Sequence, residues 1–435
     1  MALHADTIFA LSSGRGRAGV AVVRVSGSGA AVAAQCLAGP ELPKPRIAAR
    51  RKINFRDGEP IDDGLLIWFP APASFTGEDV AEFHVHGGRA VIEGLLIALG
   101  KIPGLRPAEP GEFTRRAVAN GKFDLTQAEA LADLINAETE AQRRQALRQY
   151  DGVLADLYEG WRAGLIGAAA WVEAAIDFSD EEIPTDAIAH AKAQVAGIVT
   201  EISSHLNDAR RGEILREGFR LTVIGPPNSG KSSLINALAK RDVAIVSEIA
   251  GTTRDVLEVH LDLGGYPVTV ADTAGLRETT EKLEAEGVRR ALARSESADA
   301  VLLLLDSTAP DNALPDLPQE PALIVWNKAD IGVPPPDSLA ISVQTGTGLE
   351  HLLVTIGNIV QERFDSSTVP TLTRERHRFA LLKALEALER GIVALAPEIV
   401  AEEIRLAMRE LGRITGRVDV EDLLDVVFRD FCIGK

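Results

Sequence analysis

Residues 221–238 run LTVIGPPNSGKSSLINAL. Gly225, Gly230, Lys231 and Ser232 fit the pattern G-x-x-x-x-G-K-[ST], with the β-branched LTVI before it and the helix-forming SSLINAL after it. The glycines let backbone N–H groups close around phosphate oxygens at a helix N-terminus, where the peptide dipoles favour negative charge. Lys231 then reaches the β and γ phosphates, and the Ser232 hydroxyl is placed to ligate Mg²⁺. Strand, loop and helix in this order predict an α/β domain that binds a nucleoside triphosphate.

Three further segments say which nucleotide. GTTRD (251–255) lies some 20 residues on, where a switch loop belongs, with Thr253 as candidate second protein ligand to Mg²⁺. YPVTVADTAG (266–275) is a predicted strand ending in Asp272, Thr273, Ala274 and Gly275. There the carboxylate can hold the Mg²⁺ shell and the Gly275 N–H can bond the γ phosphate. LIVWNKAD (323–330) puts Asn327, Lys328, Ala329 and Asp330 after another strand. A carboxylate at that point accepts the ring N–H and the 2-amino group of guanine. Adenine lacks that amino group and would leave a buried acceptor unpaired. Ser342, Val343 and Gln344 of SVQTG are placed to close over the base. The set specifies GTP and a Ras-like P-loop domain. One departure stands out: Leu276 follows DTAG where small regulatory GTPases carry a water-orienting glutamine. Leucine can neither position nor deprotonate water. Arg277, Glu278, Glu281, Glu284 and Glu286 lie just downstream, and their spacing alone reads as a solvated acidic helix face.

At 435 residues the chain has room for about three domains. Residues 1–118 are rich in Gly and Pro, with short β-branched runs (AVVRVSG, LLIWFP), and predict an α+β domain. Helical spacing sets in near Thr126, breaks at DEEIPTD, reaches about Arg216, and resumes after DSSTVP. The expected organisation is therefore an N-terminal domain over 1–118 and a GTPase domain over 218–370. The latter is inserted in a helical domain made of 119–217 and 371–435. Two cysteines, Cys36 and Cys432, cannot build a disulfide framework. No secretory signal is visible, and the apolar stretch at 163–172 is far short of the roughly 18 residues a membrane span requires. A cytoplasmic protein without membrane contact is expected. The net charge of −17 makes the whole molecule a poor bare binder of RNA, so a local basic patch or a partner would have to supply the positive surface.

Other signals carry less. GRGRAG (14–19) fits a dinucleotide fingerprint, but the strand-like VAVVRVSG follows where a helix would be needed, so it reads as a connection between strands. Glu82, His84 and His86 share one strand face and could chelate a metal, yet no third ligand cluster accompanies them. TRRAVANGK and QRRQALRQ could touch tRNA or form solvated helix faces. The terminal FCIGK mimics a prenylation box, but Gly434 and a final Lys435 do not suit one.

Taken together, the loop with Asn228, GTTRD, DTAGLRE, NKAD, the N-terminal segments and the C-terminal CIGK resemble the MnmE (TrmE) family, GTPases of bacterial tRNA wobble-uridine modification, along the whole chain. The resemblance implies a homodimer formed through the N-terminal domain, which would bind a tetrahydrofolate one-carbon donor. That donor is 5,10-methylenetetrahydrofolate, with 5-formyltetrahydrofolate as its analogue. It implies a hetero-oligomer with the FAD-containing, NADH-using protein MnmG, and tRNA as substrate. The product is an aminomethyl or carboxymethylaminomethyl group on C5 of uridine 34. It further implies that Asn228, the carbonyls of Ser247 and Ile249, and Thr252 hold K⁺ beside the phosphates, where a cation offsets developing charge. Position 247 is often threonine in the family, a harmless difference if only the carbonyl binds. Ser229 and Ser233, with Glu248, Ala250 and Gly251, complete the implied GTP contacts. Glu284, nine residues after the DTAG glycine, becomes the water-activating residue. Arg24, Glu82, Lys122 and Lys435 become folate ligands, and Cys432 a thiol required for modification, its nucleophilicity raised by Lys435. A GTPase of ribosome assembly would share the four nucleotide motifs. It would leave the N-terminal domain and Cys432 without a task.

Overall fold

The computed structural model describes residues 6–14, 16–177, 187–208, 210–245, 258–272, 298–309, 320–364 and 371–418, with 424, 427, 428, 431, 433 and 434. The chain divides into two compact units. One comprises Met1–Ala132, Tyr150–Ile166 and Arg405–Lys435; the other comprises Asp133–Gln149 and Gly167–Ile404.

The first unit holds six strands: β1 (Thr7–Leu11), β2 (Ala18–Ser26), β3 (Ala49–Asn54), β4 (Pro60–Phe69), β5 (Val80–Gly87) and β6 (Leu105–Pro107). They lie in the order β3-β4-β5-β2-β1-β6. GRGRAG falls at the connection between the antiparallel β1 and β2. Alternation sets the faces, as period-2 side chains require. Val23, Val25, Ala81, Phe83 and Val85 point to one side and pack with the helices Ala30–Ala38 and Arg89–Gly100. Arg24 and Glu82, directly opposite in register, point to the other. Within the helix Glu112–Ala119, Arg116 is wholly buried. Its guanidinium donates to the Asp6 carbonyl (3.0 Å), to Asp6 Oδ1 (2.9 Å) and to Glu112 Oε1 (2.9 Å), with Glu78 at 3.3 Å. Arg116 is therefore neither a solvated cation nor a tRNA contact, the two roles TRRAVANGK suggested. A buried guanidinium is tolerated because carboxylates and a carbonyl surround it.

The second unit holds β7 (Phe219–Ile224), β8 (Glu258–Leu263), β9 (Tyr266–Asp272), β10 (Ala300–Asp306), β11 (Leu323–Asn327) and β12 (Leu339–Ala340). Their order is β12-β11-β10-β7-β9-β8, and every pairing is parallel except β8 with β9. AVLLLLD of β10 is buried at all seven positions, as expected of a parallel strand covered on both faces. Helices Lys231–Leu238 and Leu349–Phe364 supply Leu234, Ile235, Leu352 and Ile356 to that core. The helices on either side of the α/β block pack on one another, Ala187–Leu206 against Glu375–Val393. Among the described residues no helix is long and apolar enough to cross a membrane.

His205 gives the second unit a pH-dependent stability. It is 5% exposed, and burial pushes its imidazole down to about 4, with Asp208 opposing and Arg378 reinforcing. In the unfolded chain the ring titrates near 6.5. The folded value is the lower one, so the neutral ring's contribution is complete above pH 6.5 and is lost as pH falls toward 4. At pH 5 the loss is about 2 kcal/mol. Urea unfolding at pH 7.5 and 5.0 should show this drop in the wild type and not in His205→Gln; equal drops would refute it.

Candidate functional site

Loops at the carboxyl ends of parallel strands gather at one edge of the sheet, where such folds bind ligands. β7 ends at Ile224, and Gly225 follows; a Cβ there would stand 2.1 Å from the Leu304 carbonyl oxygen of β10. Asn228 has φ 63°, a left-handed conformation that asparagine adopts more readily than most residues. Gly230, at φ 98°, opens the helix Lys231–Leu238 and lies so close to Asn327 that a Cβ would sit 2.3 Å from its Nδ2. Lys231 Nζ folds back onto the loop and donates to the carbonyls of Gly225 and Pro226, both at 2.9 Å. The loop thus has an open helix N-terminus and an ammonium hung across it, the parts that hold a phosphate chain.

Asn327, 3% exposed at the end of β11, fastens three loops with one amide. Its Nδ2 donates to the Ser229 carbonyl (2.8 Å), and its Oδ1 accepts from the Val343 N–H (3.2 Å). Lys328, at φ 62°, turns its ammonium onto Asp306 at the end of β10. Burial raises the Asp306 pKa, but hydrogen bonds from Lys328 and Thr308 outweigh it and hold the carboxyl below its ordinary range. Asp330 stands exposed beside these residues. The cleft so formed has a volume of about 860 Å³, in the range of sites that bury a small ligand.

Of the GTP candidates, Asn228, Gly230, Lys231, Ser232, Ser233, Asn327, Lys328, Asp330, Ser342, Val343 and Gln344 line this one cleft. Ser229 lies buried beneath it, and Ala329 donates its N–H to the Ile341 carbonyl. The backbone of Asp272 ends β9 opposite Val223, one residue before Ile224 and the phosphate loop. Ser247, Glu248, Ile249, Ala250, Gly251, Thr252, Thr253, Thr273, Ala274, Gly275 and Glu284 lie outside the described residues. Asp306 and the cleft-lining Ile331 escaped the sequence reading. Asp306 was visible as the lone carboxylate closing an all-apolar strand; Ile331 carried no signal.

In the first unit Arg24 Nε bonds Glu82 Oε1 at 2.9 Å, and His84 Nε2 lies 3.4 Å from Oε2. The Arg24 guanidinium rests over the Phe75 ring at 4.8 Å and near Phe113 at 5.7 Å. Burial raises the Glu82 pKa, but the His84 hydrogen bond and the Arg24 charge more than offset it, so the carboxylate stays ionised. Each of its oxygens keeps a second lone pair, so it can still accept from a ligand. Lys122 Nζ donates to the Pro72 carbonyl at 3.1 Å. His86 takes a different partner, Asp62, at 2.8 Å.

Cys432 and Lys435 are outside the described residues, but their neighbours are placed. Ile433 forms a bridge to Pro110, and the Gly434 carbonyl accepts from Ser12 Oγ at 2.9 Å. Phe428 and Phe431 press on Gly111, where a Cβ would meet both within 3.1 Å. The tail is thereby held at the end of β1, whose Ala10 pairs with Arg24.

A family profile described as MnmE helical domain matches residues 125–432, and one described as GTP-binding protein TrmE N-terminus matches 7–122. The tRNA modification GTPase MnmE of Paramagnetospirillum magneticum is 53% identical over 440 residues, covering 99% of this chain and 100% of its own. That of Parvibaculum lavamentivorans is 55% identical with the same coverage, and that of Rhodospirillum rubrum 53% identical over 99% of each chain. Among solved structures, a variant of Aquifex aeolicus Era bound to GDP·AlF4⁻ aligns with 46% of this chain and 90% of its own, at 21% identity and a TM-score of 0.25, too low to count. On the full-length identity and the two profiles, the chain belongs to the MnmE family of tRNA modification GTPases.

Proposed function

We propose that this GTP-hydrolysing enzyme of tRNA modification is activated by potassium. In this reading it works as a cytoplasmic homodimer joined through residues 1–118, together with the FAD-containing, NADH-using protein MnmG. Together they would install the aminomethyl or carboxymethylaminomethyl group on C5 of the wobble uridine, from a methylenetetrahydrofolate donor. A helical domain of 119–217 and 371–435 would carry the GTPase domain, 218–370.

The observation that carries the GTPase part is the single cleft shared by the phosphate loop and the NKAD corner. Lys231 exchanges the carbonyls of Gly225 and Pro226 for the β and γ phosphates, and Asp330 accepts the guanine ring N–H and amino group. Ser232, with Thr253, is suited to hold Mg²⁺. Asn228, which lines the same cleft, is suited to hold K⁺ with Ser247, Ile249 and Thr252. Glu284 takes the water-activating role that Leu276 cannot fill.

The folate proposal is supported by the contact between Arg24 and Glu82, with the Arg24 guanidinium over the Phe75 ring and Lys122 in the same unit. Glu82 would accept from the pterin, and the cations would meet the donor's carboxylates. The tail held by Ser12 and Pro110 supports bringing Cys432 and Lys435 to that side of the sheet. Mass spectrometry of nucleosides from tRNA of cells lacking the gene should show the C5-substituted wobble uridines gone. An unchanged pool would overturn the proposal.

A further inference from the structure

QRRQALRQ (142–149) takes no part in the nucleotide cleft, yet it lies in the helix Glu140–Tyr150 against both segments that join the α/β block to its flanking helices. Its first two arginines turn to the surface and share Glu140, each at 2.7 Å. Its glutamines face the other way. Gln142, Gln145 and Gln149 follow the i, i+3, i+7 spacing of one helical stripe.

Gln142 Nε2 donates to the Arg216 carbonyl at 3.1 Å, in the helix Arg211–Glu217 that leads into β7. Gln145 Nε2 donates to the Gly212 carbonyl (3.2 Å) and to the Thr371 hydroxyl (3.3 Å). The buried Gln149 Oε1 accepts from Thr373 Oγ1 at 3.3 Å. One stripe thus bonds the incoming segment twice and the outgoing segment twice. The two segments also touch each other. A Cβ on Gly212 would stand 2.1 Å from the Leu372 carbonyl oxygen. Leu372 N–H donates to Asp208 Oδ2 (3.2 Å), while Arg378 reaches Asp208 (2.7 Å), Glu213 (3.0 Å) and the Leu206 carbonyl (2.8 Å). A third tie runs from the helix start to the α/β block itself, where the Ala141 N–H donates to the Gly265 carbonyl (3.0 Å) in the turn between β8 and β9. Neutral amides suit this task, because they can donate to a main-chain carbonyl, as Gln142 and Gln145 do, or accept from a hydroxyl, as Gln149 does, without burying a charge.

We propose that the stripe of Gln142, Gln145 and Gln149 is a positioning element that fixes the orientation of the α/β block on the helices between which it is inserted. The proposal rests on reading that block as the GTPase. The stripe bonds the described residues that flank the block, Gly212 and Arg216 before it and Thr371 and Thr373 after it, so loosening the stripe relaxes the hold on the block without touching the nucleotide cleft.

The test uses the full chain, with spin labels carried by unnatural amino acids at the exposed positions Glu350 and Glu389 so that the native cysteines stay. Pulsed EPR then reads the distance between the block and the helix Glu375–Val393. Gln142→Ala, Gln145→Ala and Gln149→Ala combined should widen the distance distribution at least twofold, with the affinity for a fluorescent GTP analogue held within twofold. Gln145→Met, which keeps the shape but not the donor, should widen it in the same direction and covers the case in which the triple variant fails to fold. A distribution unchanged in folded Gln145→Met would overturn the proposal, as would a loss of GTP affinity matching the widening. The distance is read without nucleotide, so it stands or falls separately from GTP binding.

Discussion

Gly230→Ala should weaken GTP binding about 100-fold, equivalent to about 2.7 kcal/mol. The position has φ 98°, which costs an L-residue roughly 1–2 kcal/mol. The new methyl also arrives 2.3 Å from Asn327 Nδ2. Asn327 must then move, surrendering the Ser229 carbonyl or the Val343 N–H, and an unpaired buried amide costs roughly 1–3 kcal/mol. Titration with a fluorescent GTP analogue reads the loss, and an unchanged circular dichroism spectrum confines it to the cleft. A change below fivefold would mean that Asn327 does not hold the loop in its binding shape.

Gly434→Val should separate the two activities of the enzyme. At φ 99° a Cβ would lie 2.0 Å from the Leu11 carbonyl oxygen, a backbone atom inside the sheet that has nowhere to go. The tail must leave Ser12 and Pro110. tRNA modification in a reconstituted assay should fall about 100-fold, as it should in Cys432→Ser. GTP hydrolysis should stay within twofold of wild type, because the nucleotide cleft belongs to the other unit. Normal modification by Gly434→Val would show that Cys432 does not act from the docked tail.

Much of this was legible in the chain because short-range rules fixed it. The phosphate loop announces itself through glycines whose Cβ atoms would strike Leu304 and Asn327, between a strand and a helix of ordinary pattern. AVLLLLD reads as a buried parallel strand because both its faces are covered. GRGRAG was separated from a dinucleotide site by the β-branched run after it, and β2 occupies that run. What stayed hidden depends on distant partners. Arg115 and Arg116 look alike in TRRAVANGK, and only the fold shows that Arg116 meets Asp6, 110 positions away. The glutamines of QRRQALRQ carry no local signal, because their partners lie between 67 and 226 positions off. Gly434 was weighed against prenylation, whereas its decisive neighbour, Leu11, belongs to the first strand.

The bond between Ser12 and Gly434 spans 422 positions, so it also has a date in the life of the molecule. At the usual pace of synthesis, roughly 5–20 residues per second, Ser12 leaves the ribosome roughly 20 to 80 s before Gly434 exists. The intervening α/β block, whose described strands form one sheet among themselves, has its full complement of residues well within that interval. A nascent chain therefore acquires the means to take up GTP before it acquires a docked tail. Translation that halts in the last helices would release a nucleotide binder with no seat filled at Ser12.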